Sequence, residues 1–349
     1  MTQHKNISSR NSQKGAVLII VLLLVATLSV VAVGLTEQTV LSASRARNEF
    51  TRTQSLWRAV GAEVLASELI RTALLARPGV MSLDDPWALQ PFDLGQLATL
   101  PGEEGSIEFT DATRCFNVNS LFVPSGTVAA VNANGEPVPD PIESIIEEFS
   151  AILGIVGISQ NEARQLSVVI GDWIDPDGNT GSGGAEDNAY LRLPVPYRVG
   201  NGLIADTSEL RAMIGVSKEV MSAIEPFLCA RQTNEPQIVN VNMLRPQHAP
   251  LLVGIFGDSL TLSDAALIIE RRPVGGYENI DEVLNLPFIL SLELTQGQIA
   301  NINARLDVRS EYLQARMELK IGKTLLQSTM LFKVASDNSL ALMSRRFGS

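Results

Sequence analysis

The sequence predicts an α+β fold: a long N-terminal helix packed on an antiparallel sheet, with a large all-α domain inserted into the sheet's sequence. Three observations predict it. An uncharged run at the start passes without a break into an amphipathic helical pattern. Alternating apolar and polar residues mark strands at 106–110 and again from 313 to 334. The long segment between those strands has helical periodicity.

The first element is the most constrained. From Gly15 to Thr36 no residue is charged. That is roughly 20 residues and about 30 Å of helix, enough to cross the hydrocarbon core of a bilayer. Lys5, Arg10 and Lys14 precede it with no acid among them. Residues 1–15 are therefore expected to stay cytoplasmic, 16–36 to span the membrane, and the rest to lie beyond it. No Pro or Gly interrupts Leu35 to Val60, and apolar residues from Val40 to Leu74 recur at helical spacing. The helix should run to about Arg77, where Pro78-Gly79 stops it. A cleaved secretory signal, with Ala43 and Ala46 near its end, and a plain signal anchor are the alternative readings.

The Pro-, Gly- and Asp-rich stretch up to Gly105 reads as loop with a short helix, and Ser106–Thr110 as a strand. Residues 37–119 thus hold the amphipathic helix and the first strand of a sheet domain. Val123 to Pro141 is loop. Ile142–Leu153 and Ala163–Trp173 are helical, the second capped by Ser159. Shorter helices follow at Ser208–Ile214 and Lys218–Leu228. Asn117-Val118-Asn119-Ser120-Leu121 matches Asn240-Val241-Asn242-Met243-Leu244. Each is followed by an apolar helix and then a serine-capped one, with Ser263 as the second cap. Each copy also has a short helix start, at Ser208-Glu209-Leu210 and Asp281-Glu282-Val283. Residues 120–300 are read as an inserted domain of two related small helical bundles. Residues 301–349 supply the terminal strands: Leu313–Ile321, a turn at Gly322-Lys323 and Leu325–Val334, then a basic tail with Arg345, Arg346 and Phe347.

The chain has 349 residues, 45% of them apolar, and a formal net charge of −11. That acidity argues against a nucleic-acid partner, which needs a basic face. Its two cysteines, Cys115 and Cys229, both lie beyond the membrane, where an even count suggests one disulfide; two free thiols are the alternative. Such a bond would tie the edge of the sheet to the inserted domain.

The densest chemistry is an acidic, glycine-rich loop across 172–190. Asp172, Asp175, Asp177, Asn179, Glu186 and Asp187 place hard oxygen ligands close together, which fits Ca²⁺. Counted from Asp175, an EF-hand register puts Asp177 at the third position, Asn179 at the fifth and Glu186 at the last, but Thr180 stands where that loop needs Gly. It is not a standard EF-hand. No Cys or His in the loop supports zinc. Elsewhere, Gly257-Asp258-Ser259-Leu260 spells a hydrolase tetrapeptide, yet no His follows Ser259 to act as its base. Nothing assembles a nucleophile, a base and an orienting group, so no enzyme is expected.

Two sets of residues resemble a known family. Lys14-Gly15-Ala16 followed by the long helix is similar to the start of type IV pilins and pseudopilins. DWID from Asp172, DPDGN from Asp175, GAED ending at Asp187, then Tyr190, Pro196-Tyr197 and Thr207–Arg211, resemble the K-type minor pseudopilins of type II secretion. The resemblance covers nearly the whole chain. It implies a pilin-like domain with an inserted helical domain, bound calcium, and cleavage between Gly15 and Ala16 by a prepilin peptidase. It also implies an inner-membrane anchor, a periplasmic body, and a place at the pseudopilus tip with other minor pseudopilins. The outer-membrane secretin and secreted substrates are further partners it suggests. Pilin-like chains usually carry Glu at the fifth mature position, which here is Ile20. That departure suits a subunit used once, at the tip. Contact with the other minor pseudopilins is expected along the Glu37–Arg77 helix, mainly at Phe50, Trp57, Val64 and Leu65. A membrane-anchored, calcium-binding adhesin or sensor is the alternative function.

Overall fold

In a computed structural model, residues 10–94, 103–122, 141–321 and 324–348 are described. The chain falls into two compact units, Met1–Ala62 and Glu63–Ser349. One α-helix, Arg10–Ala76, supplies the described part of the first and enters the second. Its apolar stretch reaches a mean hydropathy of 3.2, long and apolar enough for a membrane span. All side chains from Ala16 to Phe50 are exposed. The hydroxyls within it bond back to the helix's own carbonyls, Thr27 to Leu24, Ser29 to Val25 and Thr36 to Ala32. These three hydroxyls are satisfied within the helix and need no water.

In the second unit, the described residues form one antiparallel sheet. Its strand order is Phe92–Asp93, Glu103–Asp111, Tyr312–Ile321, Thr324–Val334, Leu340–Phe347. The period of two is plain in the third strand. Leu313, Ala315, Met317 and Leu319 are buried, while Arg316, Glu318 and Lys320 face water. Ala66, Ile70 and Leu74 of the helix are buried as well, and Glu63 pairs with Arg345 on the last strand. This part of the helix therefore covers the apolar face of the sheet. The stretch expected as a basic tail is a strand instead, because Leu340 and Leu342 pair with Val334 and Phe332. The turn expected at Gly322-Lys323 and the loop at 123–140 lie outside the described residues.

The chain leaves the sheet after Asp111 and returns at Tyr312. The two central strands it links are neighbours, with Asp111 opposite Leu313. Between them lie two copies of one motif. In the first, Phe116–Asn117 leads into the 3-10 turn Val118–Leu121, the helices Pro141–Ile155 and Gln160–Ile174, and a closing strand Leu228–Cys229. In the second, Val239–Asn240 leads into Val241–Met243, Ala249–Phe256, Leu262–Glu270 and a closing strand Leu306–Asp307. Each closing strand runs parallel to its opening one.

The paired Asn-Val-Asn segments explain themselves locally. Asn117 accepts the N–H of Asn119, and Asn240 that of Asn242, each fixing a 3-10 turn. The second Asn of each then clamps a distant backbone: Asn119 accepts from the Ile204 N–H and donates to the Ile204 carbonyl, and Asn242 treats Tyr277 the same way. Ser159 caps the first copy's second helix as expected, but the equivalent cap is Thr261, not Ser263. Ser263 hydrogen-bonds Thr261 from inside the first turn.

The two bundles share one core, including Phe149, Ile152, Ile170, Val253, Phe256 and Ile268. The Pro141–Ile155 and Ala249–Phe256 helices cross closely at Gly254. A Cβ there would stand 2.8 Å from Ile152 and 3.0 Å from the Glu148 carbonyl.

Candidate metal centre and partner surface

The acidic loop grows from the buried C-terminal turn of the Gln160–Ile174 helix. Asp172 is 5% exposed, and both its oxygens accept the Gly181 N–H, at 3.1 and 3.2 Å. The loop wraps round this carboxylate so tightly that only glycine fits: a Cβ at Gly184 would lie 1.9 Å from Asp172 Oδ2. Asp175 and Asp177 then make successive side-chain turns, accepting the N–H groups of Asp177 and Asn179. Trp173 packs edge-on against Tyr190, which in turn packs on Tyr197, and the Tyr197 hydroxyl donates to the Ala212 carbonyl.

Of the five expected carboxylates, the structure brings three together. Carboxylate oxygens of Asp172, Asp175 and Glu186 lie within 4.8 Å of one another. Asp177 is not part of that carboxylate cluster, and Asn179 is exposed on the loop. Asp187 faces elsewhere: it pairs with Arg198 at 3.0 Å and accepts the Val199 N–H at 3.1 Å. Arg198 was not anticipated, because a cation eleven residues downstream carries no spacing signal.

The electrostatics of the cluster are unfavourable without a counter-charge. Burial pushes the Asp172 and Asp175 carboxyls up. Burial, then the neighbouring Asp172 and Asp175, pushes Glu186 up to about 7. Glu186 is only 3% exposed, and its Oε1 has no hydrogen-bond partner. A buried, orphaned carboxylate oxygen aimed among like charges fits a hard divalent cation. The donor set is all oxygen, as such an ion requires.

Cys115 and Cys229 are bonded, with Cα atoms 5.6 Å apart. The bond lies inside the first copy, beside the paired strands Phe116–Asn117 and Leu228–Cys229. It closes that bundle, rather than tying the sheet's edge to it as expected, because Cys115 already follows the end of the sheet strand at Asp111. On the long helix, Phe50, Trp57 and Val64 are exposed, and Leu65 is half-buried. Gly15 and Ala16 lie within the same helix. Ser259 accepts a hydrogen bond from Gln298 at 2.7 Å, in a turn between helices.

Comparison with known proteins agrees with this architecture. Residues 114–233 and 239–308 match the family described as "Type II secretion system (T2SS), protein K". The type II secretion system protein K of Aeromonas hydrophila is 31% identical over 341 residues, 96% of this chain and 97% of that one. This chain belongs to the type II secretion system protein K family. The protein K of Pectobacterium carotovorum subsp. carotovorum is 29% identical over 97% of this chain. A chain in the crystal structure of the GspK-GspI-GspJ complex from the enterotoxigenic Escherichia coli type 2 secretion system shares the fold. Its TM-score is 0.70 at 24% identity, over 87% of this chain and 99% of that one. The two protein K matches, 114–233 and 239–308, fall on the two copies of the inserted motif. The family's two domains are thus the repeat visible in the Asn-Val-Asn segments.

Proposed function

We propose that this protein K family member is a non-enzymatic minor pseudopilin at the tip of a periplasmic pseudopilus, where it assembles with other minor pseudopilins and supports protein export. It is made as a precursor and cut between Gly15 and Ala16 by a prepilin peptidase. Residues 16–36 then hold it in the inner membrane, with the N-terminus cytoplasmic and the body periplasmic. The observation that carries this reading is the full-length similarity to protein K, from the apolar helix to the last strands. The fold shared with a chain of the GspK-GspI-GspJ complex supports partners of the same kind. Ile20 has neither a charge nor an acceptor to offer a neighbouring subunit's amine, which suits a position used once. The exposed Phe50, Trp57 and Val64 are the proposed contacts with those partners, with Leu65 beside them.

Calcium is the cation proposed for the loop, held by Asp172, Asp175 and Glu186 with Asp177 and Asn179 nearby. All are oxygen donors on a glycine-rich segment, which suits the flexible geometry of Ca²⁺.

N-terminal sequencing of the membrane-extracted protein tests the reading. The expected first residue is Ala16. A start at Met1, or beyond Val33, overturns it and favours an anchored adhesin or sensor. The full-length chain should also co-purify with the other minor pseudopilins from detergent.

A further inference from the structure

The sheet ends on an open edge. Among the described residues, Leu340–Phe347 is bonded on one side only, to Thr324–Val334. Edge strands of soluble proteins are usually short, or are blocked by Pro, Lys or an inward charge. This one has eight residues with neither Pro nor Lys; its inward charge, Arg345, is neutralised by Glu63, and Leu342, Met343 and Phe347 are exposed along it. One irregularity, opposite Leu331 and Phe332, leaves Met343 without a partner residue.

Beside that edge lies a groove of about 450 Å³, between the outer face of the sheet and the insert's connections near Asp206 and Arg231. Met343 lines it. So do three cations, Arg231, Lys333 and Arg346, against one acid, Asp206. Arg231 and Lys333 both stand over the Tyr312 ring, 4.8 and 5.7 Å from its centroid. Arg346 pairs with Asp206 at 2.6 Å, and Lys333 with Glu311 at 2.8 Å. Even so, positive charge is in excess here, in a chain of net charge −11.

We propose that the Leu340–Phe347 edge and this groove together bind an extended acidic segment of another polypeptide. The segment adds to the sheet as a further strand and turns carboxylates toward Lys333 and Arg346. Main-chain bonds along the edge give affinity, and alternate side chains reach the groove, since strand side chains alternate between faces. Carboxylates fit because charge-assisted bonds to Lys and Arg are the strong ones.

The test uses the full-length chain in detergent and three fluorescent ten-residue peptides. One alternates Glu with Val and has blocked ends. The second replaces Glu by Lys. The third keeps Glu but carries N-methyl groups on alternate backbone amides, which removes the ladder donors and leaves the charge. Anisotropy should show saturable binding of the first peptide only. The double variant K333Q/R346Q should weaken that binding about tenfold. Equal binding of the N-methylated peptide means attraction by charge alone and overturns strand addition. Binding of the Lys peptide, or no binding of the Glu peptide, overturns the proposal outright. The peptide arms need no variant, so a variant that fails to fold does not decide the result.

Discussion

Arg305 donates from Nε to Glu148 Oε2 at 3.0 Å, and each side chain is only 6% exposed. The two residues come from opposite ends of the insert. Glu148 lies on the first copy's first helix, and Arg305 ends the second copy's last helix. Arg305 also donates to the Gln237 carbonyl, at the junction between the copies. A buried pair of this kind is costly to break one side at a time. Arg305→Met should destabilise the protein by roughly 3–5 kcal/mol, because it strands a buried carboxylate. Glu148→Leu combined with Arg305→Met should recover most of that loss. Denaturant unfolding of the single and double variants measures it, and additive losses would contradict the coupling.

The metal centre carries its own pH signature. Glu186 has a folded value of about 7 against an ordinary 4.5. Between those values the folded state holds a proton that the unfolded state has released. Metal-free protein therefore loses stability as pH rises through that window. A cation takes the proton's place, so calcium should raise the melting temperature more at about pH 7.5 than at about pH 5. Glu186→Gln should stabilise the chelator-treated protein at neutral pH by roughly 1–3 kcal/mol. The same change should leave calcium with little effect. A calcium response independent of both pH and Glu186 would exclude this carboxylate as a ligand.

The disulfide should matter through the unfolded chain. It spans a sequence separation of 114 residues. In the chain-entropy model such a crosslink contributes about 4–5 kcal/mol. Replacing Cys115 and Cys229 together by Ser should lower stability by up to that amount, as unfolding with and without reductant will show. The sheet should be the less affected part, since both cysteines belong to the first bundle.

The two clamping asparagines offer a matched pair. Asn119→Ala and Asn242→Ala should each cost roughly 2–4 kcal/mol, by orphaning buried backbone groups. Their effects on calcium should differ. Asn119 holds Ile204, where the metal-bearing connection ends, whereas Asn242 holds Tyr277, at the end of a short connection without acids. Calorimetric titration should find weaker calcium binding in the first variant and unchanged binding in the second.

Much of this was legible in the residues. The uncharged run, the helix stop at Pro78, the alternation from Leu313 and the doubled Asn-Val-Asn all act locally, so their signals are local. The acidic loop was visible as a cluster of oxygen ligands, though not which of them converge. Asp187 turns to Arg198 and the Val199 N–H, a choice that depends on how the chain folds back. Gly184 could have been suspected from the glycines beside the acids. The Glu148–Arg305 pair joins residues 157 apart and leaves no pattern in sequence. The last strand was missed because a basic, partly polar stretch has no period of its own; its partner strand imposes one.

Asp111 and Leu313 face each other across the central strands, although the whole insert separates them. Closing a floppy loop of roughly 200 residues costs about 5 kcal/mol by chain statistics, before any strand contact repays it. The parallel strand pairs at the foot of each bundle shorten that span, because each holds the two ends of its own bundle side by side. Once the bundles are formed, the two central strands have far less closure entropy to overcome. The duplicated motif is the clasp that keeps the two central strands of the sheet within reach of each other.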